Sequence, residues 1–210
     1  MSANRLVIVG DGPIFKMAAA IAAKIRPAGS VRLMSLRPDQ IAESQLEFLD
    51  SETASSTEVF AAIGMHALNY ARFDLWAKIR LKGFRCASLL HPTACVESTA
   101  RVADNCLVGP FVSVGPDATI ERGSILLSHS SVASDARVGA FGWLAKGAAV
   151  GDGAQIGSHV LLGEGVRVAD GVLVGDNCQL AVEGTYRSDV AGGTFVDPGF
   201  DAPVRLYSVA

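Results

Sequence analysis

From Val96 to Leu180 an aliphatic residue returns at every sixth position without insertion: Val96, Val102, Val108, Val114, Ile120, Leu126, Val132, Val138, Leu144, Val150, Ile156, Leu162, Val168, Val174 and Leu180. Fifteen matches in a row constrain this chain more than any other feature. A helix wants apolar residues 3.6 positions apart and a lone strand wants them two apart. A period of six fits neither alone. It fits a short strand, a corner and another short strand, so that three sides close a triangular coil of about 18 residues. Fifteen hexads then make about five coils, and a strand spacing of about 4.8 Å gives a prism roughly 24 Å long. The aliphatic side chains point inward and stack on their counterparts one coil away. Two residues before each lies a small or β-branched residue, such as Ala94, Cys106, Val112, Ala136, Gly142 and Cys178. Gly often follows, as at Gly109, Gly115, Gly139, Gly151, Gly157, Gly163 and Gly175. The expected fold here is a hexapeptide parallel β-helix.

The remaining numbers exclude more than they specify. The 210 residues, half of them hydrophobic, suffice for one large domain or two small ones. A net charge of −3 without a Lys/Arg block points away from nucleic acid and anionic membranes. No apolar run reaches the ~18 residues of a membrane span, and the apolar part of MSANRLVIVGDG is too short for a signal peptide. The four cysteines, Cys86, Cys95, Cys106 and Cys178, lack CxxC spacing. Free thiols in a cytoplasmic chain are the simplest reading, with Cys95, Cys106 and Cys178 as corner or interior fillers and no metal implied.

The first ninety residues follow another rule. RLVIVGDGPIFKMAAAIAAKI reads as strand, glycine turn and helix, with Pro13 in the first turn where a missing N–H costs nothing. SVRLMSL gives a second strand, and SETASSTEVFAAIG a polar loop and a third, buried strand. HALNYARFDLWAKIRLKG is amphipathic, with Leu68, Ala71, Leu75, Ile79 and Leu81 near helical spacing. FRCASLLHP reads as a fourth strand leading into the repeat. Alternating strands and helices argue a small Rossmann-like α/β domain with a parallel sheet. Gly10, Asp11 and Gly12 form a phosphate-binding candidate at a helix N-terminus. The third glycine of the dinucleotide fingerprint is absent, so a merely tight turn reads equally well. His66 and Asp50 are further ligand candidates, Asp50 against the plainer reading of a solvated loop acid. The expected division is 1–90 for this domain, 91–184 for the β-helix and 185–210 for a tail that folds back over the last coil or a neighbouring subunit. That tail holds Phe195, Pro198, Phe200, Pro203 and Tyr207.

LVIVGDGPIFK at the start, VFAAIG and KGFRCASLLHPTACV at the junction, and the hexads resemble the sialic-acid O-acetyltransferase family of sugar acyltransferases over nearly the whole chain. The resemblance implies a nucleotide-binding α/β domain joined to a left-handed β-helix. It implies homotrimers with acetyl-CoA between neighbouring β-helices. The acceptors it implies are sugars, often nucleotide-linked amino sugars destined for cell-surface polysaccharides.

It also implies a catalytic pattern from which this sequence departs. The family reads V-x-H-D/E-x-x-I-G where this chain has VASDARVG. The family's general-base histidine is Ser134, and the carboxylate beside it is Asp135. A second family histidine, nine residues on, is Trp143. The family's G-x-G-G-H-A-K is Gly10-Asp11-Gly12-Pro13-Ile14-Phe15-Lys16, and its G-x-P-A is blurred to GFDAPV. A serine hydroxyl is no base near neutral pH, and losing a general base costs about 10²–10⁴ in rate. Asp135 serves as a weak base if burial raises its pKa. His129, one prism side away, reaches Ser134 only across an interface. Adjacent strand residues point opposite ways, so Ser134 and Asp135 do not converge as a nucleophilic triad. The backbone at Gly151 and Asp152 is the expected N–H donor to the thioester oxygen. Trp143 fills the pantetheine channel or stacks on the acceptor sugar. His159 is expected to face solvent and His91 to anchor the junction. Two functions follow: an acetyl-CoA-dependent acyltransferase with an altered base, or a catalytically silent β-helix kept for binding, assembly or regulation.

Overall fold

A computed structural model describes residues 5–205, so Tyr207 of the expected cap lies outside the described residues. The N-terminal part is a four-stranded parallel sheet in the order β2-β1-β3-β4. Its strands are β1 (Arg5–Gly10), β2 (Val31–Ser35), β3 (Thr57–Ala62) and β4 (Arg85–Cys86). Alternation along β1 sends its side chains to two layers. Leu6 and Ile8 pack with Ile14, Ala18 and Ile21 of α1 (Gly12–Ile25). Val7 and Val9 pack with Leu75 and Ile79 of α2 (Tyr70–Leu81) on the other face.

Helix α2 starts four residues later than the amphipathic pattern suggests. Ala67, Leu68 and Asn69 all take positive φ, which stops a right-handed helix from beginning at His66. Leu68 therefore lies outside the helix and Leu81 is 86% exposed. The buried stripe is Arg72, Leu75 and Ile79. The FRCASLLHP segment is two short strands, not one. β4 completes the N-terminal sheet beside Glu58 and Val59. β5 (Leu89–Leu90) already belongs to the repeat, pairing with Leu107–Val108.

From β5 onward the chain is a left-handed parallel β-helix. Two-residue strands recur every six residues and pair in parallel with the strand 18 residues on, as Ile125 does with Trp143 and Val132 with Val150. Three sheets form the sides of the prism. The inward hexad residues, with the small residues two positions earlier, make one continuous core. Cys106 and Cys178 are in it, whereas Cys95 is exposed and not a filler. Each corner turns through a residue in the left-handed region, so the third residue after each inward aliphatic has φ near +60°, from Asn105 through Asn177. The glycine after the inward residue has a different cause. A Cβ on Gly139 would sit 2.5 Å from the Gly157 carbonyl carbon of the next coil.

The solenoid also continues past Leu180, where the sequence pattern fades. Thr185–Tyr186 pairs with Arg167–Val168, Val190 bridges to Val174, and Thr194–Val196 pairs with Gln179–Leu180. The step from Tyr186 to Val190 is shortened and its first member is aromatic, which hides the register. Only Val204–Arg205 folds back, antiparallel to Thr194–Phe195.

One side of the prism carries the N-terminal domain. The outward residues Leu89, Leu107, Ile125, Trp143 and Leu161 form a ridge that packs under Leu6, Ile8 and α1. Truncating the prism interior should be costly because the stacked core cannot collapse locally. Leu144→Ala is expected to lose about 2–5 kcal/mol of stability in denaturant unfolding, and a loss under 1 kcal/mol would show that the inward stack does not hold the coils.

Candidate functional site

Two groups of candidate residues sit on different parts of the molecule. The first lies at the C-terminal edge of the N-terminal sheet. Gly10 ends β1 with φ +151°, and a Cβ there would run into the Ala62 carbonyl of β3. Close strand packing therefore accounts for Gly10 without a phosphate. Asp11 caps α1, its Oδ1 accepting from the Gly12 N–H at 2.7 Å. That puts a carboxylate at the amides a phosphate would use. Gly12, at φ +75°, faces open space, and Lys16 is exposed on the first turns of α1. His66 is exposed at the same edge, ahead of α2 rather than opening it. Beside it Met65, Leu127, Trp143, Leu161, Glu164 and Gln179 line a largely apolar cleft of about 380 Å³ between this edge and the prism. Asp50 is elsewhere. It pairs with Lys82 at 2.6 Å, where α2 leads back to the start of β4, at the opposite edge of the sheet.

The second group is on the prism corner farthest from the N-terminal domain. Ser134 and Asp135 form a corner turn, not a strand, with Asp135 at φ 58°. Asp135 is exposed, and the burial that a weak carboxylate base needs is absent. His129 occupies the next corner, across the strand Ser131–Val132, where its ring stacks on Phe111 at 5.1 Å. The expected N–H donor is also committed. The Gly151 N–H donates to the Val168 carbonyl at 2.9 Å, and the Asp152 N–H to Asp170 Oδ1 at 3.0 Å. Asp152 in turn uses its carboxylate to accept the Ser134 N–H at 3.0 Å. A column of carboxylates thus caps the turn amides one coil apart, and an acyl oxygen would have to displace Asp170. Trp143 belongs to neither corner. It is 6% exposed on the side beneath the N-terminal domain, with the Arg72 guanidinium 5.9 Å over its ring.

Arg72 is the residue that periodicity alone could not flag. It is fully buried and, among the described residues, has no carboxylate partner. Its Nε donates to the Gly123 carbonyl at 2.8 Å, and Nη1 to the Ile63 carbonyl at 3.0 Å and Asn69 Oδ1 at 3.3 Å. Burial pulls the guanidinium down to about 9, so it stays charged at neutral pH. Asn69 adds a bond from Nδ2 to the Phe141 carbonyl at 2.9 Å. Asn105 completes the joint from the prism side, with Oδ1 accepting from Ala61 N–H at 2.8 Å and Nδ2 donating to the Ala61 carbonyl at 3.3 Å. β3 runs beyond its pairing with β4 there, and the amide imitates the missing strand. The only sequence hint of Arg72 was a charge at a helix position otherwise reserved for Leu75 and Ile79.

His159 is half-buried under this joint instead of facing solvent. It stacks on Tyr70 at 4.0 Å, and its Nδ1–H donates to the Leu68 carbonyl at 3.0 Å. Burial holds its pKa below the ordinary value, outweighing that bond. His91 ties α1 to the junction through Lys24 Nζ, 2.8 Å from its Nε2. Among the described residues no cluster of His, Cys, Asp and Glu could hold a metal ion, and no helix is long and apolar enough to cross a membrane.

The architecture is that of left-handed β-helix acyltransferases. PerB from Caulobacter crescentus, solved in complex with CoA and GDP-perosamine, is 25% identical, with 91% of this chain and 92% of that one covered at a TM-score of 0.77. The acetyltransferase domain of PglB from Neisseria gonorrhoeae shares the fold at 19% identity, covering 96% of this chain and all of that domain, with a TM-score of 0.68. The family model of the GMPPB C-terminal domain matches residues 90–183, within the solenoid. An acyl-[acyl-carrier-protein]–UDP-N-acetylglucosamine O-acyltransferase from Bartonella quintana is 45% identical over 40 residues, 19% of this chain and 15% of that enzyme. Among them are an acetyltransferase domain and a UDP-N-acetylglucosamine O-acyltransferase, and the two solved structures share the fold over 91% and 96% of this chain.

Two measurements check the joint. Arg72→Ala should lower stability by about 3–5 kcal/mol, because it opens a cavity and strands buried carbonyls; a change within 0.5 kcal/mol would remove Arg72 from the joint. A histidine whose folded pKa is depressed binds protons more tightly when unfolded, so its stability is present above the unfolded pKa and falls as pH drops. Lowering the pH from about 7 to 5 should therefore destabilise the wild type more than His159→Gln. Equal losses would place His159 in solvent.

Proposed function

We propose that this chain is an acyl-CoA-dependent acyltransferase, using acetyl-CoA, that acts as a homotrimer on a sugar or nucleotide-linked amino sugar. The observation that carries this reading is the end-to-end match to PerB, an enzyme solved with CoA and GDP-perosamine. Both halves of the chain match together, not the solenoid alone. The motifs at the start and junction resemble those of the sialic-acid O-acetyltransferase family and support a sugar acceptor. Surface polysaccharide synthesis in the cytoplasm is the setting this implies.

Geometry supports assembly. The glycine-turn edge and the Ser134 corner lie on opposite sides of one prism, so a single chain holds two half-sites. A neighbouring copy that sets its Ser134 corner against this chain's nucleotide edge joins them. An amine acceptor suits such a site best. It arrives deprotonated, attacks the thioester carbonyl and forms the C–N bond as the C–S bond breaks. The CoA thiolate leaves, and the surplus amine proton passes to solvent. Positioning then supplies most of the acceleration, without an imidazole.

The second reading, a binding or assembly protein without turnover, is favoured by one observation. The turn amide at Asp152 is already bonded to Asp170 Oδ1, so both the base and the oxyanion donor depart from what the resemblance implies.

Calorimetric titration of acetyl-CoA into the purified chain tests the proposal. Micromolar binding is expected, with slow acetyl transfer to amino-sugar nucleotides. Ser134→His should raise that rate by about 10²-fold. No binding at millimolar acetyl-CoA would rule out the acyltransferase. Binding without transfer in either variant would favour the second reading.

A further inference from the structure

A separate cavity opens in the angle between α2 and the prism corner that carries Asn105 and Phe141. Its volume is about 420 Å³, and its walls are Trp76, Arg80, Arg85, Cys86, Asp104 and Arg122. Three guanidinium groups meet one carboxylate here, on a chain whose net charge is −3. Among the described residues, none of the three arginines is in an ion pair. Asp104 is committed, accepting the Trp76 Nε1–H at 3.0 Å. Arg122, one coil above Asp104, sets its guanidinium carbon over the Trp76 ring, 5.4 Å from the centroid. Arg80 donates one N–H to the Phe84 carbonyl at 3.2 Å and keeps the others. Cys86 is buried in the wall, and burial pushes its thiol up to about 12, so it stays uncharged.

Like charges gathered around one concavity repel unless an anion joins them. Guanidinium forks match the oxygens of a phosphoryl group and bind it in pairs. The charge excess matches a dianion better than a single carboxylate. The volume exceeds that of a phosphate and falls within the range of small-molecule sites. We propose that this cavity binds a phosphorylated small molecule, its phosphoryl or pyrophosphoryl group held by Arg80, Arg85 and Arg122 and its organic part resting against Trp76. Arg80 and Arg85 belong to the N-terminal domain and Arg122 to the prism, so the ligand bridges the two halves. The site is distinct from the glycine turn and from the Ser134 corner, and does not depend on acyl transfer.

Titration of inorganic pyrophosphate into the full chain at low salt tests this, beside Arg85→Gln, Arg122→Gln and Lys16→Gln. Saturable binding is expected in the wild type, weakened about tenfold by either arginine change and unaltered by Lys16→Gln. The arginines are exposed, so folding should survive, and melting curves verify it. Quenching of Trp76 fluorescence in a Trp143→Phe background locates the ligand independently. The proposal is overturned by no saturation at 10 mM pyrophosphate. It is equally overturned if Lys16→Gln abolishes binding while both arginine variants retain it.

Discussion

Everything in this molecule depends on the register of hydrogen bonds between residues 18 apart. Each two-residue strand is too short to stand alone, and gains its place only because the coils above and below accept and donate in step. That register stacks like on like. It sets aliphatic on aliphatic inside, small residues at the corners, and on one outer side the apolar ridge from Leu89 to Leu161 that receives the N-terminal domain. It also aligns the corner amides with side chains from the next coil, which is how Ser134, Asp152 and Asp170 come to share one column.

The same register explains why chemistry at a corner is sensitive to sequence. A turn amide in this fold has two possible uses: it can be capped from within, or it can be offered to a ligand. At Asp152 the capping carboxylate is only one coil away and exposed, so the internal bond exchanges readily with solvent. A competing acyl oxygen meets a rotatable side chain, not a packed wall. Ser134 is a different matter, since no movement gives a hydroxyl the proton affinity of an imidazole.

The solenoid was legible in the sequence because its period is rigid and its interior tolerates only aliphatic and small residues. Leu90 escaped because its hexad follows Arg85–Cys86 so closely that the two short strands read as one, and Tyr186 because an aromatic and a shortened step hide the register. The sheet and α1 were legible from alternating strands and helices and from the glycine turn and Pro13, and α2 was placed too early because three consecutive left-handed residues have no compositional signature when they are Ala67, Leu68 and Asn69. The joint was the hardest part to read. Arg72, Asn69 and Asn105 act through backbone carbonyls and amides far away in sequence, and hydrophobic periodicity records no such partners. For the same reason, the separation of Asp50 from Gly10, and of Trp143 from Ser134, followed only from the three-dimensional path of the chain.

The docking of the N-terminal domain has a mechanical consequence. Solenoids usually open one repeat at a time from their ends, since each coil touches only its neighbours. In this chain a rigid sheet and helix lie along the ridge from Leu89 to Leu161, spanning successive coils as a splint spans a fracture. The N-terminal coils therefore cannot peel away singly, and the splinted part opens as one cooperative block. Beyond Leu161 the splint ends. Beyond its own pairing, the coil closed by Val190 and Val196 is held only by the short strand Val204–Arg205, which makes that end the place where the spring unwinds first.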